Sequence, residues 1–326
     1  MITEALGMPI RTLSDGEQIT ENGLYYVPMW RYHRDPNLCD GFAVSNSRLR
    51  LVERCPEKLK ARYDEGEGES DTQATTFGRM AHSLCIEGRF PSDIAVSPFK
   101  DFSSNEGKEG PYQGFDSYLK FKRAWKAEQE AAGKTIFRQD EIDDVYAMAE
   151  RLGREPMVRD GLFSGPLEVT VAARDPETGI WMLARPDSLP TDTIWGDYKT
   201  TESADPDVFE FSIQKYAYHC QAAFSAEVIA RATGRAIETF VLIAQEKKKP
   251  FTVSIIPIDD ESIEWGAREN RLALRRLQHC IEKDHWPGYA EGPVTRGLPK
   301  KRKEWLRAND ALFPQVPSLK EIANAR

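Results

Sequence analysis

Arg185-Pro-Asp-Ser-Leu-Pro-Thr-Asp-Thr-Ile-Trp-Gly-Asp-Tyr-Lys-Thr200 is the stretch that decides the fold, because it places Asp187 ten residues before the pair Asp197 and Lys199. Each aspartate follows an apolar run, so both carboxylates are predicted at the ends of strands, and adjacent hairpin strands would bring them together. Asp197 and Lys199 share one strand face because side chains alternate with a period of two. Carboxylate oxygens are ligands for Mg²⁺, so the stretch predicts a divalent-metal site beside a lysine.

Each of these charges also has a simpler explanation when it is taken alone. Asp187 could pair with Arg185 or cap a turn, and Asp197 could pair with Lys199. A buried carboxylate without a cation is costly, however. With Glu168 in an alternating segment upstream, three carboxylates and the lysine fall within 32 residues. We interpret the ordered set as a metal site.

The apolar pattern around these residues predicts an α/β fold with a central mixed sheet flanked by helices. Leu167–Val171 and Ile180–Ala184 form a hairpin signal around the turn Asp175–Gly179. The other predicted elements are a helix after Ser45–Ser47, a helix over Arg79–Ile86, two or three amphipathic helices within residues 100–160, a strand at Thr193–Asp197, a helix over Phe211–Arg231, strands at Glu238–Ala244 and Phe251–Ile256, and a helix from about Ile263 to Ile281. We divide the chain into an N-terminal arm (1–40), a domain (41–295) and a basic C-terminal tail (296–326).

Composition limits the possible functions of the chain. The 326 residues carry a net charge of -8, which argues against coating a polyanion through a general positive field. Basic residues are concentrated at 296–307, with six basic residues and one acidic, and at Lys247–Lys249; both runs are either local contact sites or solvated surface. The sequence has no apolar run of eighteen residues, no signal-peptide pattern and no Cys-x-x-Cys, so we expect a soluble, cytoplasmic protein without disulfides.

Two helical segments add candidate site residues. His82 lies on the predicted helix Arg79–Ile86, where a zinc site shared with Cys85 would lack enough ligands. Gln214, Tyr218 and Gln221 are spaced i, i+4 and i+7 and would share one face of a helix. Ordinary surface polarity explains that face equally well.

These motifs resemble, in order, those of the PD-(D/E)XK nuclease superfamily. The motifs are Phe77-Gly-Arg-Met-Ala-His82, Leu-Glu168-Val-Thr, Arg-Pro-Asp187, Asp197-Tyr-Lys199-Thr-Thr and Tyr218-His-Cys-Gln221-Ala-Ala. Within the superfamily the chain is most similar to the phage and prophage exonuclease VIII (RecE-like) group, over about residues 44–290. The family helix often reads Gln-x-x-x-Tyr, which Gln214 and Tyr218 fit, whereas Gln221 is followed by Ser225; both glutamines stay candidates.

The resemblance implies a role for each matched residue. His82, Asp187 and Asp197 would bind one or two Mg²⁺ ions, for which Mn²⁺ could substitute. Lys199 would be the catalytic lysine, acting with Asp187, Asp197 and an accessory Glu168. The expected DNA contacts are Gln221, Tyr218, Gln214, Lys300, Lys301 and Arg302.

The resemblance also implies an activity and partners. Members of this group digest linear double-stranded DNA from 5′ to 3′, leave a 3′ single strand for a recombinase or annealing protein, and often form ring-shaped homo-oligomers. We therefore expect binding to double-stranded DNA ends in a bacterial host cell and no membrane association. The alternatives are an endonuclease of the same fold or a RecB-type exonuclease on single strands, a catalytically idle DNA-binding or phage structural protein, and a structural ion-pair network in an interaction protein.

Overall fold

Residues 2–65, 73–99, 115–290 and 292–317 are described by a computed structural model of the protein. The helices are α1 (Met29–Arg34), α2 (Asn46–Arg54), α3 (Pro56–Glu65), α4 (Gln73–Cys85), α5 (Phe115–Ala131), α6 (Gln139–Leu152), α7 (Pro156–Arg159), α8 (Pro206–Tyr216), α9 (Tyr218–Thr233), α10 (Asp260–Lys283) and α11 (Lys300–Ala308). The strands are β1 (Glu4–Ala5), β2 (Met8–Thr12), β3 (Gly23–Tyr26), β4 (Ala43–Ser45), β5 (Ile94–Ser97), β6 (Thr135–Arg138), β7 (Val169–Arg174), β8 (Trp181–Ala184), β9 (Ile194–Thr201), β10 (Thr239–Glu246) and β11 (Val253–Pro257).

The larger sheet has six strands in the order β1-β2-β3-β7-β8-β4. The predicted hairpin is confirmed, since β7 and β8 pair antiparallel with Val171 opposite Ala184. The sheet is mixed, because β2 pairs with β3 and β4 pairs with β8 in parallel. Residues 4–26 supply three of its strands, so the region predicted as an arm contributes directly to this sheet. The boundaries at residues 40 and 295 stay predictions.

The smaller three-stranded sheet lies between two hydrophobic clusters. Its central strand β10 pairs in parallel with β9 and antiparallel with β11. Side chains alternate along β10: Phe240 and Leu242 join the cluster formed with α9 and α10, whereas Val241 and Ile243 join the cluster formed with α4 and α6. The mixed α/β architecture with helices against the sheets is therefore as predicted. The strands β5 and β6, which pair in parallel, were not predicted.

The predicted helix over Phe211–Arg231 is wrong in one respect, because the chain forms two helices there. Ala217 separates α8 from α9 and has a left-handed conformation with φ of 54°. Its N–H caps α8 by donating to the carbonyls of Gln214 and Ile213. Gln214 and Gln221 therefore lie on different helices, and the i, i+4, i+7 spacing does not describe a shared face.

The C-terminal residues form a separate compact unit. The contacts divide the chain into Met1–Trp286 and Pro287–Arg326. Within the second unit, α11 carries Lys300, Lys301 and Arg302, all exposed, and the Arg302 guanidinium lies 4.4 Å from the centroid of the Trp305 ring. Among the described residues, no helix combines the length and the apolar character needed to cross a membrane.

Candidate metal centre

Asp187 lies in the connection between β8 and β9. The expectation that these are neighbouring hairpin strands is wrong, because β8 belongs to the six-stranded sheet and β9 to the three-stranded one. The connection nevertheless returns the carboxylate to β9, where Asp187 Oδ2 accepts a 2.8 Å hydrogen bond from the backbone N–H of Tyr198. Asp187 therefore lies beside the Asp197–Lys199 segment, as predicted, but a loop rather than a hairpin places it there.

Asp197 and Lys199 lie on the face of β9 that packs toward α9. Trp195, on the same face, belongs to the cluster that includes α9 residues. Gln221 of α9 donates a 2.9 Å hydrogen bond to Asp197 Oδ1. Lys199 Nζ lies 2.6 Å from the other oxygen, Oδ2. The structure thus brings Gln221 to the predicted site, whereas Gln214 is exposed on α8.

His82 reaches the same place from α4. Its Nε2 lies 2.9 Å from Asp187 Oδ1 and its Nδ1 lies 3.2 Å from Glu87 Oε1. Both His82 Nε2 and Asp197 Oδ2 are buried and lack a hydrogen bond of acceptable geometry, although each has an ionic neighbour. Two inaccessible polar atoms left in this way carry a free-energy cost that a bound cation would remove.

The charged side chains of the site shift one another's pKa values. Burial favours the neutral form of His82, but the charge of Asp187 and the contact with Glu87 raise the His82 pKa to about 10. Burial raises the pKa of Asp197. For Asp187, the opposite effect of the His82 charge outweighs burial and lowers the pKa. Burial would lower the Lys199 pKa, yet the adjacent Asp197 charge raises it, so the ammonium stays protonated.

Two supporting residues were missed from the sequence. Glu87 follows the end of α4, and its side chain accepts from Arg89 at 2.8 Å while contacting His82. Gln245 is fully buried and its Oε1 accepts a 2.7 Å hydrogen bond from the Tyr198 hydroxyl. Glu87 could have been noticed as a carboxylate five residues after His82, but Gln245, which is distant in sequence, leaves no such signal.

The remaining predicted residues lie at different distances from this centre. Glu168 has a left-handed backbone with φ of 59° and pairs with Arg89, which also binds Glu87, so it connects to His82 only indirectly. The Tyr218 ring centroid lies 5.2 Å from Lys199 Nζ. The basic residues of α11 belong to the other unit, Pro287–Arg326.

A second group of potential ligands was not predicted. The ligand atoms of His219, Cys220 and Glu269 lie within 4.8 Å of one another. Arg50 is already among them, with Nη1 3.2 Å from Cys220 Sγ and 3.7 Å from Glu269 Oε2. Burial raises the pKa of the Cys220 thiol to about 12, which disfavours the thiolate that metals bind.

With this geometry established, the family can be assigned. Residues 45–293 match the family described as a PDDEXK-like domain of unknown function (DUF3799). The chain belongs to this family. It is also similar to the crystal structure of a "Putative exonuclease" from Eubacterium rectale, with a TM-score of 0.53 and 13% identity over 80% of this chain and 92% of that one. No curated protein matches the sequence.

The family and the structural neighbour together confirm the predicted superfamily and the nuclease fold. At 13% identity the neighbour supports the fold alone. PDDEXK nucleases generally use divalent metal ions. The resemblance to the RecE-like group in particular stays a prediction.

Proposed function

We propose that this protein is a divalent-metal-dependent DNA exonuclease whose centre is formed by His82, Asp187, Asp197 and Lys199. One observation carries the proposal: in each proposed ligand one polar atom is held by a supporting group, and the second faces the other charged side chains of the centre. Glu87 contacts His82 Nδ1, the Tyr198 N–H holds Asp187 Oδ2, and Gln221 holds Asp197 Oδ1. The remaining atoms, Nε2, Oδ1 and Oδ2, are those that a cation would bind.

The donor set fits a hard divalent ion. Two carboxylates suit Mg²⁺ and Mn²⁺, and the imidazole of His82 adds a ligand that is typical of transition metals. His82, Asp187 and Asp197 would hold the ion. The buried atoms His82 Nε2 and Asp197 Oδ2, which lack a hydrogen bond of acceptable geometry, support this choice. When bound, such an ion supplies a water of lowered pKa and neutralises charge on a phosphodiester.

The residues of the chain supply the rest of the chemistry. The permanently charged Lys199 ammonium would neutralise negative charge that develops on the phosphate and orient the attacking water. Its position is fixed by Asp197 and by the face of the Tyr218 ring. Gln221 keeps the Asp197 carboxylate in one orientation, which reduces the reorganisation needed when DNA binds.

The finer features of the activity are proposed from the resemblance described above. They are 5′-to-3′ digestion of linear duplexes, 3′ single strands as product, a homo-oligomeric ring, and transfer of that product to an annealing protein. A ring would also bring the exposed basic residues Lys300, Lys301 and Arg302 of several subunits near one duplex, where local charge outweighs the net charge of -8.

The decisive experiment compares digestion of a linear duplex, labelled at either 5′ or 3′ ends, with a closed circle. Reactions contain Mg²⁺, Mn²⁺ or EDTA and use the wild type, Lys199→Ala, or Glu269→Gln as a matched charge change outside the centre. We expect metal-dependent loss of the linear duplex only, abolished by Lys199→Ala and retained by Glu269→Gln. Cutting of the circle would assign an endonuclease instead, and no digestion with either metal would overturn the proposal.

A further inference from the structure

A row of three aromatic rings runs from the core to the surface beside Lys199. Phe209 and Tyr218 stack with centroids 6.1 Å apart, and Tyr218 and Tyr216 stack at 5.6 Å, with planes inclined by 21° and 29°. Phe209 is only 1% exposed, whereas Tyr216 is 54% exposed. This aromatic row (Phe209, Tyr218, Tyr216) thus begins in the protein interior, passes the proposed catalytic lysine and ends in solvent.

The junction between α8 and α9 creates the row. Ala217 takes a left-handed conformation with φ of 54° between the end of α8 and the start of α9, and the rings of Tyr216 and Tyr218 on either side of it stack. A non-glycine residue in this conformation is uncommon and costs free energy. The strained turn therefore presents an exposed tyrosine, Tyr216, stacked on a half-buried one, Tyr218.

The charges near the exposed end are suited to a nucleic-acid strand. Lys215 Nζ lies 4.9 Å from the centroid of the Tyr216 ring. The acidic residues of α8, Asp207 and Glu210, lie in its first half, while Lys215 lies in its last turn. At the site itself, Lys199 contacts the face of Tyr218. A base stacked on Tyr216 would thus lie close to Lys215, whose ammonium group can pair with a backbone phosphate.

We propose that Tyr216 is the stacking platform for an unpaired base of the DNA strand that enters the site, with Lys215 released from its ring to bind a backbone phosphate. This inference rests on the proposed function and defines the form of its substrate: the end must be locally single-stranded. Stacking suits an exonuclease because every base has an aromatic face, so the contact imposes no sequence preference.

The test measures binding of a fluorescein-labelled single-stranded 20-mer in EDTA, where metal-dependent hydrolysis is absent, by fluorescence anisotropy. We expect Tyr216→Ala and Tyr216→Leu to raise Kd by roughly 5- to 100-fold, since base stacking is worth that much per base. Tyr216→Phe and Tyr216→Trp should stay within about twofold, because they keep a ring. The leucine variant tests whether binding needs the aromatic ring itself or only an apolar side chain of similar size.

Phe211 provides the matched control. It is also an aromatic residue of α8 and is 72% exposed, but it lies five positions from Tyr216 and outside the aromatic row. Phe211→Ala should leave Kd within about twofold of the wild type. A 20-mer carrying one 2-aminopurine should lose fluorescence on binding the wild type and not Tyr216→Ala, and circular dichroism confirms that each variant is folded.

The outcomes separate this inference from the proposed function. Suppose that the wild type degrades DNA with Mg²⁺ while Tyr216→Ala binds the 20-mer normally, or while Phe211→Ala weakens binding as much as Tyr216→Ala does. Either result disproves the stacking platform and leaves the proposed exonuclease activity intact. If Tyr216→Ala and Tyr216→Leu weaken binding but nothing is hydrolysed, the platform stands and the exonuclease fails. An equal loss on a blunt, fully paired duplex would overturn the requirement for an unpaired base.

Discussion

Two groups of histidine and acidic side chains meet at the same helix, α9, and they differ in how the protein surrounds their polar atoms. The proposed metal centre, His82, Asp187 and Asp197 with Lys199, receives Gln221 from α9. The second group, His219, Cys220 and Glu269, takes its first two members from the adjacent residues of that helix. Both contain imidazole and carboxylate groups at short distances, so composition alone does not distinguish them.

The two groups differ in the contacts that the protein makes with their nitrogen, oxygen and sulfur atoms. In the second group Cys220 Sγ accepts from Arg50 at 3.2 Å and contacts Glu269 Oε2 at 3.1 Å, so a guanidinium already supplies the positive charge. In the proposed metal centre Lys199 and His82 also lie beside the carboxylates, but the buried atoms His82 Nε2 and Asp197 Oδ2 lack a hydrogen bond of acceptable geometry. A candidate metal site is thus better recognised by buried polar atoms that the protein orients without satisfying their hydrogen bonds than by the number of ligand-type residues.

The largest expected effect comes from Asp197→Asn. The amide keeps the size of the side chain and the contact with Gln221, but it removes the charge that the cation and Lys199 both require. We expect the rate of linear-duplex hydrolysis to fall by on the order of 10²–10⁴. The matched change Glu269→Gln in the second group should leave the rate within about twofold. A comparable loss in both variants would remove the functional distinction between the groups.

Metal binding to the folded protein should distinguish the two groups without any DNA. With Mn²⁺ at a hundredfold excess over its Kd, the wild type should gain about 2.7 kcal/mol of stability in a denaturant titration. Glu269→Gln should gain as much, whereas His82→Asn should gain little at that Mn²⁺ concentration. If stabilisation disappears instead in Glu269→Gln, the second group is the metal site.

A smaller effect is expected at Glu87, which touches the imidazole but is not a proposed ligand. Glu87→Gln removes the carboxylate that contacts His82 Nδ1 at 3.2 Å. Such supporting contacts typically contribute 10- to 100-fold to metal affinity, so we expect a loss of about that size in Mn²⁺ affinity by calorimetry. Glu53→Gln, which affects a carboxylate paired with Arg50, is the control and should not change it. Unchanged affinity in Glu87→Gln would show that His82 is oriented by its helix alone.

The sequence predicted those parts of the site that short spacings encode. Asp197 and Lys199 share a strand face because alternation along β9 is local, and the β7–β8 hairpin follows from its turn. The split at Ala217 was missed because apolar periodicity continues through a single left-handed residue. The positions of His82 and Gln245 depend on packing between distant segments, so spacing alone could only list such residues as candidates. The resemblance to a known superfamily supplied His82; no comparable signal existed for Glu87 or Gln245.

The smallest predicted effect concerns pH and the apo protein. The folded-state pKa of His82, about 10, lies above the ordinary value of 6.5, so its charge stabilises the fold fully below about pH 6.5. That contribution is lost as the pH rises through about 10. In EDTA, the difference in unfolding free energy between the wild type and His82→Asn should shrink by on the order of 1 kcal/mol from pH 6 to pH 10, because solvent screens a side chain that is 26% exposed.

Mn²⁺ affinity should change in the opposite direction and rise over the same range, since the ion competes with the His82 proton. A Mn²⁺ affinity that is flat between pH 6 and pH 10 would exclude His82 as a ligand and leave it as the ion-pair partner of Asp187.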